Sequence, residues 1–262
     1  MTPFPLQEKS PIFSAFTCKV AHLQTLLPAL LRADAPTRLR LEGGTHNPLA
    51  PPFEFLEEVF LPTLRRMGAD ATISLVESGF APAGGGIIES TINPCAKLMP
   101  CEFHERGELL GLRIHVPIRN LSTAIGQRML EAALEKLPCE TAAVEPREPG
   151  PGGGVCCLVA AVFDNLTELT SAAGEQGISA ERIGARAAKS MHDFIGSGAA
   201  VGRQLADQLL LPMALAGSGS FTTMAPDEHV PTNVAVIEQF LPVKFRITEA
   251  VRGTRVIAVA AA

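Results

Sequence analysis

His229 is the residue of this sequence whose type and position best suit nucleophilic chemistry. An imidazole of ordinary pKa, about 6.5, is mostly neutral near pH 7 and can offer a nitrogen lone pair. His229 follows a Pro/Asp turn, Met224–Glu228, and stands just before Pro231-Thr232-Asn233, which opens a helix ahead of Val234, Ile237 and Leu241. That places it at a loop–helix junction and off the apolar face of the helix, and loops on a scaffold carry function disproportionately. Upstream, Leu205, Leu209 and Met213 recur as one helical face, and Asp207 and Gln208 interrupt that run as polar residues with apolar neighbours. Asp207 has a structural alternative, an ion pair with Arg203 one turn earlier. His46 and Asn47 are weaker candidates, and a turn-satisfying role is the preferred reading for both. The glycines of Ala83–Gly86 have neither a following Lys-Ser/Thr nor a helix behind them, so a hairpin connection suits them better than a phosphate loop.

The elements that must position these residues follow from periodicity. From Cys18 the pattern is helical to Arg32 (Val20, Leu23, Leu27, Leu30), with Pro28 expected to kink it. A strand at Arg38–Glu42 comes next, then a helix over Phe53–Met67 whose stripe is Phe53, Leu56, Phe60 and Leu64, and two strands around the glycine turn. After Ser179 the order is helix Ala180–Ile195, helix Gly202–Leu215, strand Ser218–Thr223, helix, and strands Val243–Thr248 and Thr254–Val259. This suggests a duplicated unit. Residues 105–177 differ: a strand (ELLGLRIHVPI), a helix Leu121–Leu137, a Pro/Gly loop (EPREPGPGGG) and a buried strand (VCCLVAAVF), which together suggest an inserted smaller domain.

With 262 residues the chain can bury a substantial core. Hydrophobic residues make up 47%, yet no apolar run reaches the roughly 18 residues of a membrane span. Met1–Phe13 lacks the basic start and apolar core of a signal peptide, so a soluble, cytoplasmic protein without membrane contact is expected. Lys and Arg number 22 against 27 Asp and Glu, a net charge of −5. That argues against coating long nucleic acid, though a local arginine cluster suffices for one RNA end. No Trp or Tyr is present, so base stacking must rely on Phe, His or Arg. Six cysteines without a C-x-x-C pair read as buried thiols in a reducing compartment.

The strings LADQLLLPMALAG, HVPTN and VIEQFLPVKF, preceded in order by LQTLLPALL, GGTHNPLAPP and GFAPAGGGII, resemble the RNA 3′-terminal phosphate cyclases from about Cys18 to the C-terminus. The resemblance implies an α+β fold: repeated units, each a four-stranded sheet with two helices, and a smaller inserted α/β domain. The division expected is a lead-in and one repeat unit over 1–104, the insertion over 105–177, and the last unit over 178–262. In that family the histidine of the H-x-x-T-N segment becomes adenylylated, which here is His229. The nucleotide-contacting positions map onto Gln24, Pro51, Asp207 and Gln208, and onto Gln204, where the family often has an aromatic residue. Implied partners are ATP, a divalent metal (magnesium the expected ion) and an RNA 3′-phosphate end, and the implied product is a 2′,3′-cyclic phosphate.

The family's first repeat unit, with its Glu-Gly-Gly-Gly-Gln motif, has no counterpart, because Met1–Thr17 is too short for a sheet with two helices. From this follow three expectations: an apolar face exposed on the helix carrying Leu23, Leu27 and Leu30, self-association into a homo-oligomer, and weak cyclisation relative to self-adenylylation. The alternatives to an enzyme are a truncated inactive cyclase-like protein and a non-catalytic ribosomal RNA maturation factor. The latter would be expected to lack the histidine that stands here at 229.

Overall fold

The computed structural model describes residues 18–48 and 50–262. The lead-in Met1–Thr17, and the comparison with a further repeat unit that turns on it, lie outside the described residues. The first unit comprises helix α1 (Lys19–Leu30), strand β1 (Thr37–Gly43), a helix in three parts, and strands β2 (Asp70–Glu77) and β3 (Gly86–Asn93). The three-part helix has α2 (Phe53–Phe55), a π-helical stretch Leu56–Phe60, and α3 (Leu61–Arg66). Pro62 accounts for the π stretch: it has no N–H to give the carbonyl one turn back, so the hydrogen-bond register slips there. β1 alternates Leu39 and Leu41 inward with Arg38, Arg40 and Glu42 outward, as a sheet covered on one face requires. The strands form an antiparallel sheet in the order β1–β3–β2, and the glycine turn before Gly86 does join β2 to β3 as a hairpin.

Strand β4 (Glu102–Phe103) is followed by a second body: β5 (Leu109–Arg119), α4 (Thr123–Lys136), β6 (Thr141–Pro146), β7 (Gly154–Phe163), β8 (Thr167–Ala173) and α5 (Ala180–Ser197). Its sheet runs β6–β5–β7–β8. β6 and β8 were not legible from pattern: β6 (TAAVEP) is short and runs into the stretch that reads as a Pro/Gly loop, and β8 (TELTSAA) has no clear alternation. The last unit is α6 (Arg203–Ala216), β9 (Gly219–Thr223), α7 (His229–Phe240), β10 (Val243–Glu249) and β11 (Arg255–Ala261), with sheet order β10–β11–β9–β4.

The duplication expected from sequence is real at the level of topology. Taken from its first helix, each unit is helix, strand, helix, strand, strand, and the sheet orders β1–β3–β2 and β9–β11–β10 coincide. Cys18, just before α1, bridges Gly44 in parallel; Val201, just before α6, bridges Thr223 in parallel. Gln24 and Pro28 in α1 have the same spacing as Gln208 and Pro212 in α6, and both helices continue through the proline.

The limits of the insertion differ from the 105–177 expected. β4 pairs in parallel with β9 at Ser220 and Phe221, and Val201 resumes the same edge at Thr223. Thr222 spans the gap: its hydroxyl donates to His104 O at 3.1 Å and accepts from Ala200 N at 3.1 Å. Residues 104–200 are therefore inserted within one strand of the last unit. β4 belongs to that unit and not to the first, and α5 belongs to the insertion and not to the last unit. The reason is packing. α5 lays Ile183, Ala187, Met191 and Phe194 against Met129, Ala133, Val159 and Phe163 in a core of its own. Gly184 lets α5 meet α4 closely, since a Cβ there would stand 2.0 Å from Met129 O. Arg106 then closes the junction. It donates to the carbonyls of Phe194, Ile195 and Ala199 at the end of α5 and lies over the Phe163 and Phe194 rings.

The apolar face expected to be exposed on α1 is covered. Leu23 and Leu27 are each 2% exposed and Leu30 is half-buried, because α1 lies on β1 and β3 and delivers that stripe to the main core. All six cysteines are free thiols, and burial pushes Cys101 up to about 11 and Cys157 up to about 12. Among the described residues no helix is long and apolar enough to cross a membrane.

Candidate active site

Helices α6 and α7 pack together, and the polar residues singled out in both meet at that contact. His229 is the first residue of α7. The helix begins earlier than the cap residues Thr232 and Asn233 suggest, because the Asp227 carboxylate accepts from His229 N at 3.0 Å and Thr232 instead bonds back to Glu228 O. Pro231 is tolerated so near the start, where no helical N–H is needed. The imidazole is solvent-exposed, as a group that must reach a substrate should be.

Asn233 lies one turn beyond His229, on the same side of α7. Its amide donates to Asp207 Oδ1 at 2.6 Å. This residue was missed as a functional candidate: the motif's Asn reads as a helix cap, whereas it fastens the first turn of α7 to α6. Arg203 does not pair with Asp207, contrary to the structural alternative; its Nε donates to Ala225 O at 3.0 Å and holds the turn that leads to His229. The turn is thus pinned from both sides by α6. Burial raises the Asp207 carboxyl above its usual range, against the Asn233 bond and the nearby His229, with Asp227 adding to the rise. His229 and Asp207 are therefore electrostatic neighbours. Gln204 and Gln208, both half-buried, fall on the same side of α6 as Asp207 by helical spacing.

Gln24 and Pro51 lie in the first unit, and among the described residues no hydrogen bond joins them to the α6–α7 group. The Nε2 of Gln24 is buried with no hydrogen-bond partner among the described residues, a condition that costs about 1–3 kcal/mol unless an acceptor is supplied. Pro51 is buried in the segment that enters α2. His46 has the structural role expected: it is buried, stacks on Phe80 with centroids 4.8 Å apart, and bonds Thr45 at 2.8 Å and Glu54 at 3.0 Å. Among the described residues no group of three or more His, Cys, Asp or Glu is gathered as a metal cage.

The start of α6 is fixed by the insertion. Glu168, on β8 and 3% exposed, accepts from Gly202 N at 2.8 Å and from Leu169 N at 3.3 Å. A Cβ at Gly202 would stand 2.6 Å from its carboxyl carbon. Burial pushes this carboxyl up to about 7, although both backbone bonds favour the charged form. A raised folded pKa means that the neutral group favours the fold below the ordinary carboxylate value, and that this advantage fades as pH climbs to about 7. The change amounts to about 3 kcal/mol. Glu168→Gln, which cannot ionise, is expected to flatten the fall in melting temperature between pH 5 and 7.5; an unchanged slope would assign that fall elsewhere.

A family model described as RNA 3′-terminal phosphate cyclase matches residues 17–247. The chain belongs to the RNA 3′-terminal phosphate cyclase family. Among the relatives bearing that name, one from Pseudomonas fluorescens is 46% identical over 237 residues, covering 89% of this chain and 68% of the relative. One from Ectopseudomonas mendocina is 42% identical over 243 residues, covering 91% and 70%. One from Ralstonia nicotianae is 41% identical over 249 residues, covering 95% and 71%. The α+β fold, the family and the cyclase name of its relatives thus agree with what the sequence motifs imply.

Proposed function

We propose that this chain converts an RNA 3′-phosphate to a 2′,3′-cyclic phosphate through an adenylylated His229, using ATP. The observation that carries the reading is the exposed histidine at the start of α7, fastened beside Asp207 by the motif's own Asn233. A ring nitrogen of His229 attacks the α-phosphorus of ATP; the P–N bond forms as the bond to the β-phosphate oxygen breaks, and pyrophosphate leaves. An oxygen of the RNA 3′-phosphate then takes the adenylyl group and the P–N bond breaks. The adjacent 2′-hydroxyl attacks the activated phosphorus, losing its proton as AMP departs.

Within this scheme Asp207, Gln208 and Gln204 hold the nucleoside, and the Gln24 amide, which has no partner among the described residues, supplies a donor to a nucleotide oxygen. Pro51 lends an apolar contact. A divalent ion, magnesium in this proposal, comes with the triphosphate and offsets its charge. Intact-mass measurement after incubation with ATP and magnesium tests the first half, and conversion of a 3′-phosphorylated oligonucleotide to its cyclic form tests the second. Addition of one AMP together with cyclisation is the expected result. Absence of both would favour a non-catalytic role in RNA maturation.

A further inference from the structure

A cavity of about 450 Å³ lies between the insertion and the first repeat, away from His229 and Asp207. Six buried side-chain nitrogen or oxygen atoms lack a hydrogen-bond partner among the described residues, and three of them belong to residues lining this cavity: Arg113 Nε, His115 Nε2 and Arg147 Nε. Such clustering is unexpected of random imperfections, since buried polar groups are nearly always satisfied.

One other nitrogen of each of these side chains is engaged. Arg113 Nη2 donates to Glu58 at 2.6 Å, and Arg147 Nη2 to Glu145 at 3.0 Å. His115 Nδ1 bonds the Glu145 carboxylate, so a neutral ring keeps its Nε2 lone pair as an acceptor. The three buried atoms are thus two donors, Arg113 Nε and Arg147 Nε, and one acceptor. Glu57, on the π-helical stretch that forms one wall, makes no hydrogen bond or ion pair among the described residues and adds a second acceptor. Burial raises its carboxyl above the usual range, with Glu54 and Glu58 adding. The floor is aliphatic: Leu158, Ala160 and Leu169 are all buried.

These features select a ligand chemistry. Four carboxylates, Glu54, Glu57, Glu58 and Glu145, face two guanidiniums, Arg113 and Arg147, so a free phosphate or other multiply charged anion would meet net repulsion. An aliphatic floor beneath a rim of separate donors and acceptors suits a flat ring with apolar faces and a polar edge. The volume lies within the range of ordinary small-molecule sites, and π-helical stretches occur often at functional positions. We propose that this cavity is a second ligand site, taking an uncharged planar heterocycle of the nucleobase class. Edge acceptors of the ring meet Arg113 and Arg147 N–H groups, and an N–H of the ring or its amino group meets His115 or Glu57.

The site does not depend on the cyclase reading, and its test uses ligands without phosphate. Cytidine, guanosine and, separately, inorganic phosphate are titrated into the full chain by saturation-transfer NMR and calorimetry. At least one nucleoside is expected to bind at about millimolar Kd or tighter. Ala160→Leu, which fills the floor, is expected to weaken it roughly tenfold or more, and Asp207→Ala to leave it unchanged. If Ala160→Leu fails to fold, Glu57→Ala, at an exposed position, reports the same loss. The proposal is overturned if neither nucleoside binds, if both cavity variants bind as the parent does, if binding disappears in Asp207→Ala, or if phosphate binds in preference.

Discussion

Replacing His229 by alanine is expected to abolish covalent AMP labelling while leaving the melting temperature almost unchanged. The imidazole is exposed, makes none of the contacts that hold α7 to α6, and leaves no core cavity when truncated. The Asn233–Asp207 bond between the helices and the bond from His229 N to Asp227 that starts α7 both survive the substitution. Stability should shift by no more than about 0.5 kcal/mol, as for an ordinary surface change. Cyclisation should fall by at least roughly 10³-fold, since removing a nucleophile removes the covalent route as a whole. Intact mass and a thermal melt read both quantities on one sample. Retained labelling in the variant would exclude His229 as the nucleophile.

The largest effect on stability is expected at Arg119. This side chain is 1% exposed and ties the end of β5, in the insertion, to the end of β2 in the first unit. Its Nε donates to Glu148 O at 2.8 Å, one Nη to Ser78 O, and the other to Glu77 Oε1 at 2.6 Å. Arg119→Met keeps much of the volume but leaves two backbone carbonyls and a carboxylate without their cation. Breaking a buried pair from one side costs about 3–5 kcal/mol. Arg119→Lys should rescue little, because one ammonium cannot reproduce the planar fork that serves three acceptors. Urea denaturation measures the loss; a change below about 1 kcal/mol in the methionine variant would mean that this junction is held by its apolar contacts instead.

Glu168 and Arg119 share a property that explains why neither was singled out beforehand. Both act across the junction between the insertion and the repeats, on partners 34 and 41 or 42 residues away. A charged residue in a strand reads as solvent-facing from local pattern alone. Only the docking of the insertion's sheet against helix 53–66 and the end of β2 turns these positions inward. The cavity residues Arg113 and His115 share the explanation: they alternate regularly along β5, and what their face meets is a matter of packing.

The candidate site was more legible. Asp207 and Gln208 stood out as polar breaks in an apolar stripe, and His229 by its place at a loop–helix junction. Asn233 was visible but misread, because a cap-type residue near a helix start has an ordinary local use. Gln24, Pro51 and Gln204 rest on the family resemblance, and Gln24 also on its buried amide, unpartnered among the described residues.

The sequence by itself determined the elements with strong periodicity: α1, the long helix from Phe53, α5, α6, β5, β7 and the final hairpin. It also revealed the repeated order of helix and strand. Local hydrophobic spacing suffices for these, since each must bury one face wherever it packs. Tertiary structure alone decided that residues 104–200 interrupt a single strand, because β4 and Val201 acquire meaning only by pairing with the same neighbour, β9. It decided that α5 joins the insertion, because its buried stripe packs on α4, β7 and β8 in the insertion's own core. It also set Asn233 on Asp207: a hydrogen bond between two helices depends on the angle and depth of their packing, which no spacing within either helix encodes.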